Sequence, residues 1–187
     1  MLEIYNGVTH ELITWLTSFS EVYNGYCFYY NQDAEIHITH VYNFMGSFKF
    51  LSNFYISPFE IDGVRYLSNE HWYQSNKTDD NYMRGLIINA ESPALAKKLA
   101  KNVTRPINWP DISLDIMYRG LKAKFTQNSE LHEKLLDLRG LTLIEGNTWH
   151  DNFWGACTCN RCVRYVHMNY LGLLLTKLIK KELSNVQ

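Results

Sequence analysis

A chain of 187 residues, 46% of them hydrophobic, is long enough to bury one core and has the size of a single domain. Its formal net charge of −1 excludes a protein that holds DNA or RNA mainly by neutralising phosphates, so any contact with nucleic acid would depend on a local pocket. No apolar run approaches the ~18 residues of a membrane span and no basic-then-apolar leader is visible, so we expect a cytoplasmic protein with no membrane partner.

The first forty residues differ in pattern from the rest. Apolar residues between Leu12 and Phe19 recur at helical spacing and predict a short amphipathic helix, which a tyrosine-rich segment at 23–31 follows. We interpret residues 1–40 as an N-terminal addition packed on a main domain of residues 41–187.

Short strands are predicted next. Ile36 and Ile38 alternate with polar residues, and the pattern indicates that residues 44–50 continue in extended form. Asp62 and Gly63 separate two alternating segments within 59–66. Because this pair accepts the positive φ angles of a type I′ turn, we expect a β-hairpin there.

Helices dominate the remainder. Ser68 is a candidate cap for a helix from Asn69 to about Leu86, and Ser92 followed by Pro93 predicts the start of another helix. Further expected elements are a helix capped by Asp111 and running to Phe125, a helix capped by Ser129 and running through Leu136, a strand at 141–146 and a helix from Asn169 to Leu183. Together they predict an α+β fold, a helix-rich single domain with a small, mostly antiparallel sheet.

The helix after Ser68 has polar residues where a core-facing stripe would be apolar. Glu70, Tyr73, Gln74 and Lys77 have the spacing i, i+3, i+4 and i+7, which places them on one face within ~10 Å of helix axis. This face is either solvated, with a weak glutamate–lysine link, or the polar wall of a pocket. Glu70 also lies in the first turn, where the helix dipole favours the ionised carboxylate.

Several ordered motifs resemble the YbiA-like, or NADAR, family. Residues 50–77 read FLSNFYISPFEIDGVRYLSNEHWYQSNK, close to a family phrase FLSNFYPSPIEIDG that is followed by a strand and an EHYFQAQK helix. Further matches follow in the same order over 42–183: SPALAKKLAK (92–101), Arg105 with Trp109, Met117 with KAKFTQN (122–128), LIEGN (143–147), Asp151 with Trp154–Gly155, and NYLGLLL (169–175).

The resemblance implies an N-glycosidase that hydrolyses a bond between ribose C1 and nitrogen. Two substrate classes stay open, namely ADP-ribose attached to guanine bases of nucleic acid and the ribosylamino-pyrimidine phosphates of riboflavin biosynthesis. The implied ligands are a ribosyl nucleotide or ADP-ribose, with ADP-ribosylated DNA or RNA as the macromolecular partner and no cofactor. The N-terminal addition slightly favours ADP-ribosyl removal. The alternative to an enzyme is a non-catalytic module that binds ADP-ribose or NAD.

The resemblance also implies which residues act. Glu70 corresponds to the family's essential glutamate and Lys77 to the lysine that ends its motif. In one mechanism Glu70 positions water and stabilises positive charge at C1, and in the other Lys77 forms a Schiff base with the opened sugar. Asp151 is the expected second catalytic carboxylate. Expected substrate-binding residues are Ser52, Asn53, Phe54, Tyr73, Gln74, Arg105, Trp109 and Trp154.

Three cysteines cluster near the C-terminus. Cys157, Cys159 and Cys162, with His167 or in its place His150, offer four ligands for zinc. The CxCxxC spacing is tighter than two separated CxxC pairs, so reduced thiols in a tight loop are favoured and no metal ligand is assigned. A zinc-dependent structural protein is the third functional hypothesis.

Overall fold

The computed structural model of the chain describes residues 21–23, 26–30, 36–162 and 165–184. It divides into two units, one formed by residues 1–52 and 138–187 (unit 1) and one by residues 53–137 (unit 2). The amphipathic helix predicted at 12–19 lies outside the described residues, and the predicted domain boundary after residue 40 stays a prediction. Within the part of the chain that is described, no helix has the length and apolar character to cross a membrane.

Unit 1 contains a four-stranded mixed sheet. Its strands are β1 (Glu21–Tyr23), β2 (Tyr26–Tyr30), β3 (Ile36–Tyr42) and β6 (Thr142–Ile144), in the spatial order β1-β2-β3-β6. β2 pairs antiparallel with both β1 and β3, whereas β6 runs parallel to β3 with His40 opposite Thr142. The strand predicted from Ile36 is therefore confirmed.

One long helix packs on this sheet. Helix α6 (Tyr170–Ser184) buries Leu171, Leu175 and Leu178. It approaches β6 so closely that a Cβ on Gly172 would lie 1.9 Å from the Leu143 carbonyl oxygen. A second pair of parallel strands, β7 (Gly146–Asn147) and β8 (Ala156–Cys157), follows β6 and brackets the loop 148–155.

Residues 46–51 correct one prediction. They form a 3-10 helix (Gly46–Leu51) rather than a continuation of the extended chain. Gly46 has φ +53, which turns the chain out of the strand. Phe48 and Leu51 then lie three residues apart on the buried face, a spacing that 3-10 geometry serves.

Unit 2 opens with the predicted hairpin, which is confirmed. β4 (Phe59–Ile61) pairs with β5 (Val64–Tyr66), and the turn residues Asp62 and Gly63 have φ of 54° and 76°. Both angles are positive, as a type I′ turn requires. The hairpin's buried face packs on Trp72 and Ala123 in one core cluster.

The helix predicted from Asn69 to about Leu86 is two helices, α1 (Asn69–Ser75) and α2 (Asn81–Ile88). Ser68 caps α1 as expected, since its hydroxyl accepts from the His71 N–H. Asp80 starts α2 anew, because its side chain accepts from the N–H groups of Tyr82 and Met83. A residue that caps the start of a new helix is not itself helical, so α1 cannot continue through Asp80.

The remaining helices of unit 2 follow the predictions closely. α3 (Pro93–Leu99) starts at the expected Ser92 cap. α5 (Ser129–Leu136) includes Ser129 as its first residue, so the predicted Ser129 cap is wrong and Asn128 holds the cap position. α4 (Trp109–Gln127) begins two residues before the predicted cap, so Asp111 lies inside its first turn. Pro110 fits that turn because its missing N–H would have no partner there. The predicted α+β class, rich in helix and with small sheets, is confirmed.

Candidate functional site

The polar stripe on α1 is buried. Glu70 is 5% exposed, Tyr73 5% and Gln74 3%. A solvated helix face is thereby excluded for these three residues. A buried carboxylate needs hydrogen-bond partners, so their arrangement decides what the stripe can do.

Glu70 is held from two directions within unit 2. The Gln74 amide nitrogen donates to Glu70 Oε1 at 2.7 Å, and the Glu70 N–H donates to the Asn53 carbonyl oxygen at 3.0 Å. The spacing i, i+4 therefore places the Gln74 amide where it orients the Glu70 carboxylate. The side chain is oriented, and it is a hydrogen-bond acceptor inside the protein.

Asn53 links the FLSNFY segment to α1. Its side-chain oxygen accepts from Asn69 Nδ2 at 2.8 Å, and the same Asn69 nitrogen lies 3.2 Å from the sulfur of Met117. Asn53 is 7% exposed. Its described contacts position the start of α1 and with it Glu70.

Lys77 lies beyond the end of α1. The prediction that it is the fourth member of the helical stripe is therefore wrong. Its Nζ still lies 4.8 Å from the Tyr73 ring centroid and 6.0 Å from that of Trp109. The two rings are themselves 5.3 Å apart. Since an ammonium above aromatic faces is stabilised as a cation, this arrangement favours the charged form of Lys77.

His71 fixes α1 from its other side. Its ring is fully buried, with Nε2 3.0 Å from the Ala90 carbonyl and Nδ1 2.8 Å from the Ser68 hydroxyl. A carbonyl only accepts, so Nε2 carries the proton and Nδ1 accepts from Ser68. Burial lowers the pKa of His71, which keeps the ring neutral in this anchoring role.

Lys124 is a residue that the sequence analysis did not single out. It lies on α4 with 0% exposure, and burial lowers its pKa to about 7. Its Nζ lies 5.0 Å from the Phe125 ring and 5.7 Å from the Tyr55 ring. The spacing of Met117, Leu121 and Lys124 on one apolar helix face is the signal that indicates its burial.

The other expected binding residues of unit 2 are at the surface or in the aromatic cluster. Phe54 is 40% exposed with Lys97 Nζ 5.4 Å from its ring, and Arg105 is exposed before α4. Trp109 is buried, and its ring contacts are those with Tyr73 and Lys77. The roles of Arg105 and Trp109 in substrate binding stay predictions.

Ser52, Asp151 and Trp154 belong to unit 1. Ser52 ends the 3-10 helix, where its N–H donates to the Lys49 carbonyl. Asp151 Oδ1 accepts from the N–H groups of Phe153 (3.1 Å) and Trp154 (2.8 Å), and so shapes the loop between β7 and β8. The assignment of Asp151 as a catalytic carboxylate stays a prediction.

Only one of the two candidate histidines joins the cysteine cluster. The ligand atoms of His150, Cys157, Cys159 and Cys162 all lie within 4.8 Å of one another. His167 is instead fully buried with Nδ1 2.8 Å from Asn152 Oδ1. The described part of unit 1 thus holds a three-thiol, one-imidazole set.

Comparisons with known proteins point to one family. The model of the NADAR domain matches residues 29–184. N-glycosidase YbiA of Shigella flexneri is 32% identical over 120 residues, which cover 63% of this chain and 74% of the relative. The NMR structure of Escherichia coli YbiA superposes with a TM-score of 0.70 at 27% identity, covering 78% of this chain and 86% of that one. A riboflavin biosynthesis protein of Vibrio vulnificus is 33% identical over 108 residues, covering 57% of this chain and 29% of its own length.

Proposed function

This chain belongs to the NADAR domain family, and we propose that it is an N-glycosidase that hydrolyses the bond between ribose C1 and a nitrogen of its substrate. The observation that carries the proposal is the buried Glu70 carboxylate, oriented by Gln74 within the motif at 50–77. A module that merely binds ADP-ribose has no need of a fixed carboxylate in this position.

The proposed chemistry uses Glu70 as an acceptor. Glu70 accepts a proton from water as the water oxygen attacks C1, and its negative charge stabilises the positive charge that builds on C1. The C1–N bond breaks, and the departing nitrogen takes a proton from solvent. The products are a ribose with a free C1 hydroxyl and the released amine or base.

The Schiff-base route through Lys77 is the less favoured mechanism. Attack on the opened sugar requires a neutral amine. The Tyr73 and Trp109 rings beside Lys77 favour the ammonium instead. A cation beside the aromatic pair is suited to holding a phosphate or the ribose edge, and this is the role we propose for Lys77.

A different observation favours each of the two substrate classes. The names of the riboflavin biosynthesis relatives from Vibrio vulnificus and Zea mays favour a ribosylamino-pyrimidine phosphate. The exposed Phe54 ring with Lys97 beside it favours the second class, ADP-ribosylated guanine, because a stacked base and a phosphate backbone are bound by such pairs. Of the two classes, we propose the ribosylamino-pyrimidine phosphate as the favoured substrate.

The test offers both substrates to the protein and measures the released base by chromatography. Release is expected from at least one substrate, and Glu70→Gln is expected to slow it by about 10²–10⁴-fold while the circular dichroism spectrum is kept. Glu91→Gln, at an exposed position, is the matched control and should retain full activity. No release from either substrate together with tight ADP-ribose binding would show a non-catalytic module.

Borohydride added during turnover separates the two mechanisms. The water route predicts no covalent sugar adduct on the protein by mass spectrometry. An adduct that is present in the wild type and absent from Lys77→Ala would instead establish the amine route.

A further inference from the structure

The loop between β7 and β8, the strand β8 and the turn that follows it bring four metal-binding side chains together. Cys157 and Cys162 are buried, Cys159 is half-buried, and His150 is exposed at the edge of the group. From this convergence we propose that unit 1 contains a structural zinc site with His150, Cys157, Cys159 and Cys162 as its four ligands.

The distances fit a tetrahedral centre. His150 Nδ1 lies 3.1 Å from Cys159 Sγ and 3.4 Å from Cys162 Sγ. A tetrahedral zinc ion separates a nitrogen and a sulfur ligand by about 3.6 Å and two sulfurs by about 3.8 Å. All four ligand atoms lie within 4.8 Å of one another, so small side-chain rotations bring every pair to these values.

Two features of the backbone also direct these side chains towards one point. The Cys162 N–H donates to the Cys159 carbonyl at 2.9 Å, a turn that puts both thiols on one side. His150 has φ +69, an unfavourable angle for a residue with a Cβ. A strained angle is retained where the surrounding structure or a ligand requires it, and here it directs the imidazole to the thiols.

The donor set selects zinc and a structural role. Three soft thiolates and one imidazole nitrogen favour zinc over magnesium or calcium, which prefer oxygen ligands. Four protein ligands complete the tetrahedron, so no position is left for water or substrate. The ion would join the loop 148–155, which carries Asp151, to β8 and to the Cys159–Cys162 turn.

The segment already has a hydrogen-bonded frame for such a link. The Asn147 side chain donates to the Asp151 carbonyl at 2.7 Å and accepts from the Asp151 N–H at 3.2 Å. His150 directly precedes Asp151, so a bond from zinc to His150 fixes the loop at its centre. This role is independent of the proposed glycosidase activity.

Metal content tests the proposal on the full chain purified without chelator. The expected result is about one zinc ion per chain, with nearly all of it lost in His150→Ala and in Cys159→Ser. His132→Ala in α5 is the matched control for the histidine variant and should keep the zinc.

Cobalt(II) gives a second readout that does not depend on how the variants fold. Wild-type protein loaded with cobalt should show the visible absorption of a tetrahedral site with thiolate charge-transfer bands. Folded wild-type protein that takes up neither zinc nor cobalt, with its cysteines fully reactive to a thiol reagent, would overturn the proposal. Zinc retained at wild-type level in folded His150→Ala would overturn the ligand assignment.

Discussion

Lys124 lies on α4 with its entire side chain inside unit 2, where burial lowers its pKa from 10.5 to about 7. In the unfolded chain the same amine titrates near its ordinary value. Between these two pH values the unfolded state binds more protons than the folded state, so the free energy of unfolding rises with pH. Stability supplied by the neutral amine is complete above the unfolded pKa and is lost as pH falls towards 7.

Lys124→Met removes this titration. We expect the free energy of unfolding, measured by urea denaturation, to rise less between pH 7 and 10 in the variant than in the wild type. Lys122→Met, at an exposed position on the same helix, is the control and should keep the wild-type slope. Equal slopes in wild type and Lys124→Met would show that the buried amine does not titrate in this range.

Single residues differ in how far the sequence predicts their role. Glu70 was identified because helical spacing and an ordered motif indicate the same position. The motif KAKFTQN (122–128) contains Lys124 but does not indicate that its side chain is buried, because that burial depends on side chains distant in sequence. Spacing offered His167 as the fourth ligand and His150 as its substitute, whereas the folded loop places His150 beside the thiols and His167 beside Asn152.

Among the elements, α1 and α4 cross at Gly120. A Cβ at this position would lie 2.0 Å from Asn69 Oδ1 and 2.3 Å from Trp72 Cδ1. Asn69 also binds Asn53, so a displaced α1 would disturb the support of Glu70. The absence of a side chain at residue 120 is therefore a packing requirement.

Gly120→Ala should destabilise the protein by about 1–3 kcal/mol, because the overpacking outweighs the better helix propensity of alanine. Gly85→Ala on α2 is the matched control, since no atom lies within 4 Å of its added Cβ. It should stabilise by up to ~1 kcal/mol. Both effects are read from urea denaturation midpoints, and equal midpoints would contradict the close approach.

The elements that the sequence predicted correctly carry local signals. Asp62–Gly63 and Ser92–Pro93 specify a turn and a helix start within a few residues. The extended segment expected at 44–50 was wrong because buried phenylalanines suit a strand and a 3-10 helix alike. The break before Asp80 falls within residues 74–81, which contain no apolar side chain, and the start of α2 depends on the single Asp80 side chain that caps it.

At the scale of the whole chain, unit 1 is assembled from two segments that lie far apart in the sequence. The parallel pair β3 and β6 joins residues 40–42 to 142–144, and all of unit 2 lies between them in the sequence. Closing a loop of about 100 residues costs on the order of 4 kcal/mol before any contact is gained. The contacts of unit 2 span shorter separations, so we expect them to form first.

Two buried substitutions test this order of folding by stopped-flow kinetics. Val41 on β3 and Leu121 on α4 are both 0% exposed, so truncation to alanine should destabilise each variant by about 2–4 kcal/mol. If the pairing of β3 with β6 forms late, Val41→Ala accelerates unfolding and leaves the folding rate nearly unchanged. If the core of unit 2 is already formed in the transition state, Leu121→Ala should slow folding. A slower folding rate in Val41→Ala than in Leu121→Ala would reverse the order, and the β3–β6 pairing would then belong to the folding nucleus.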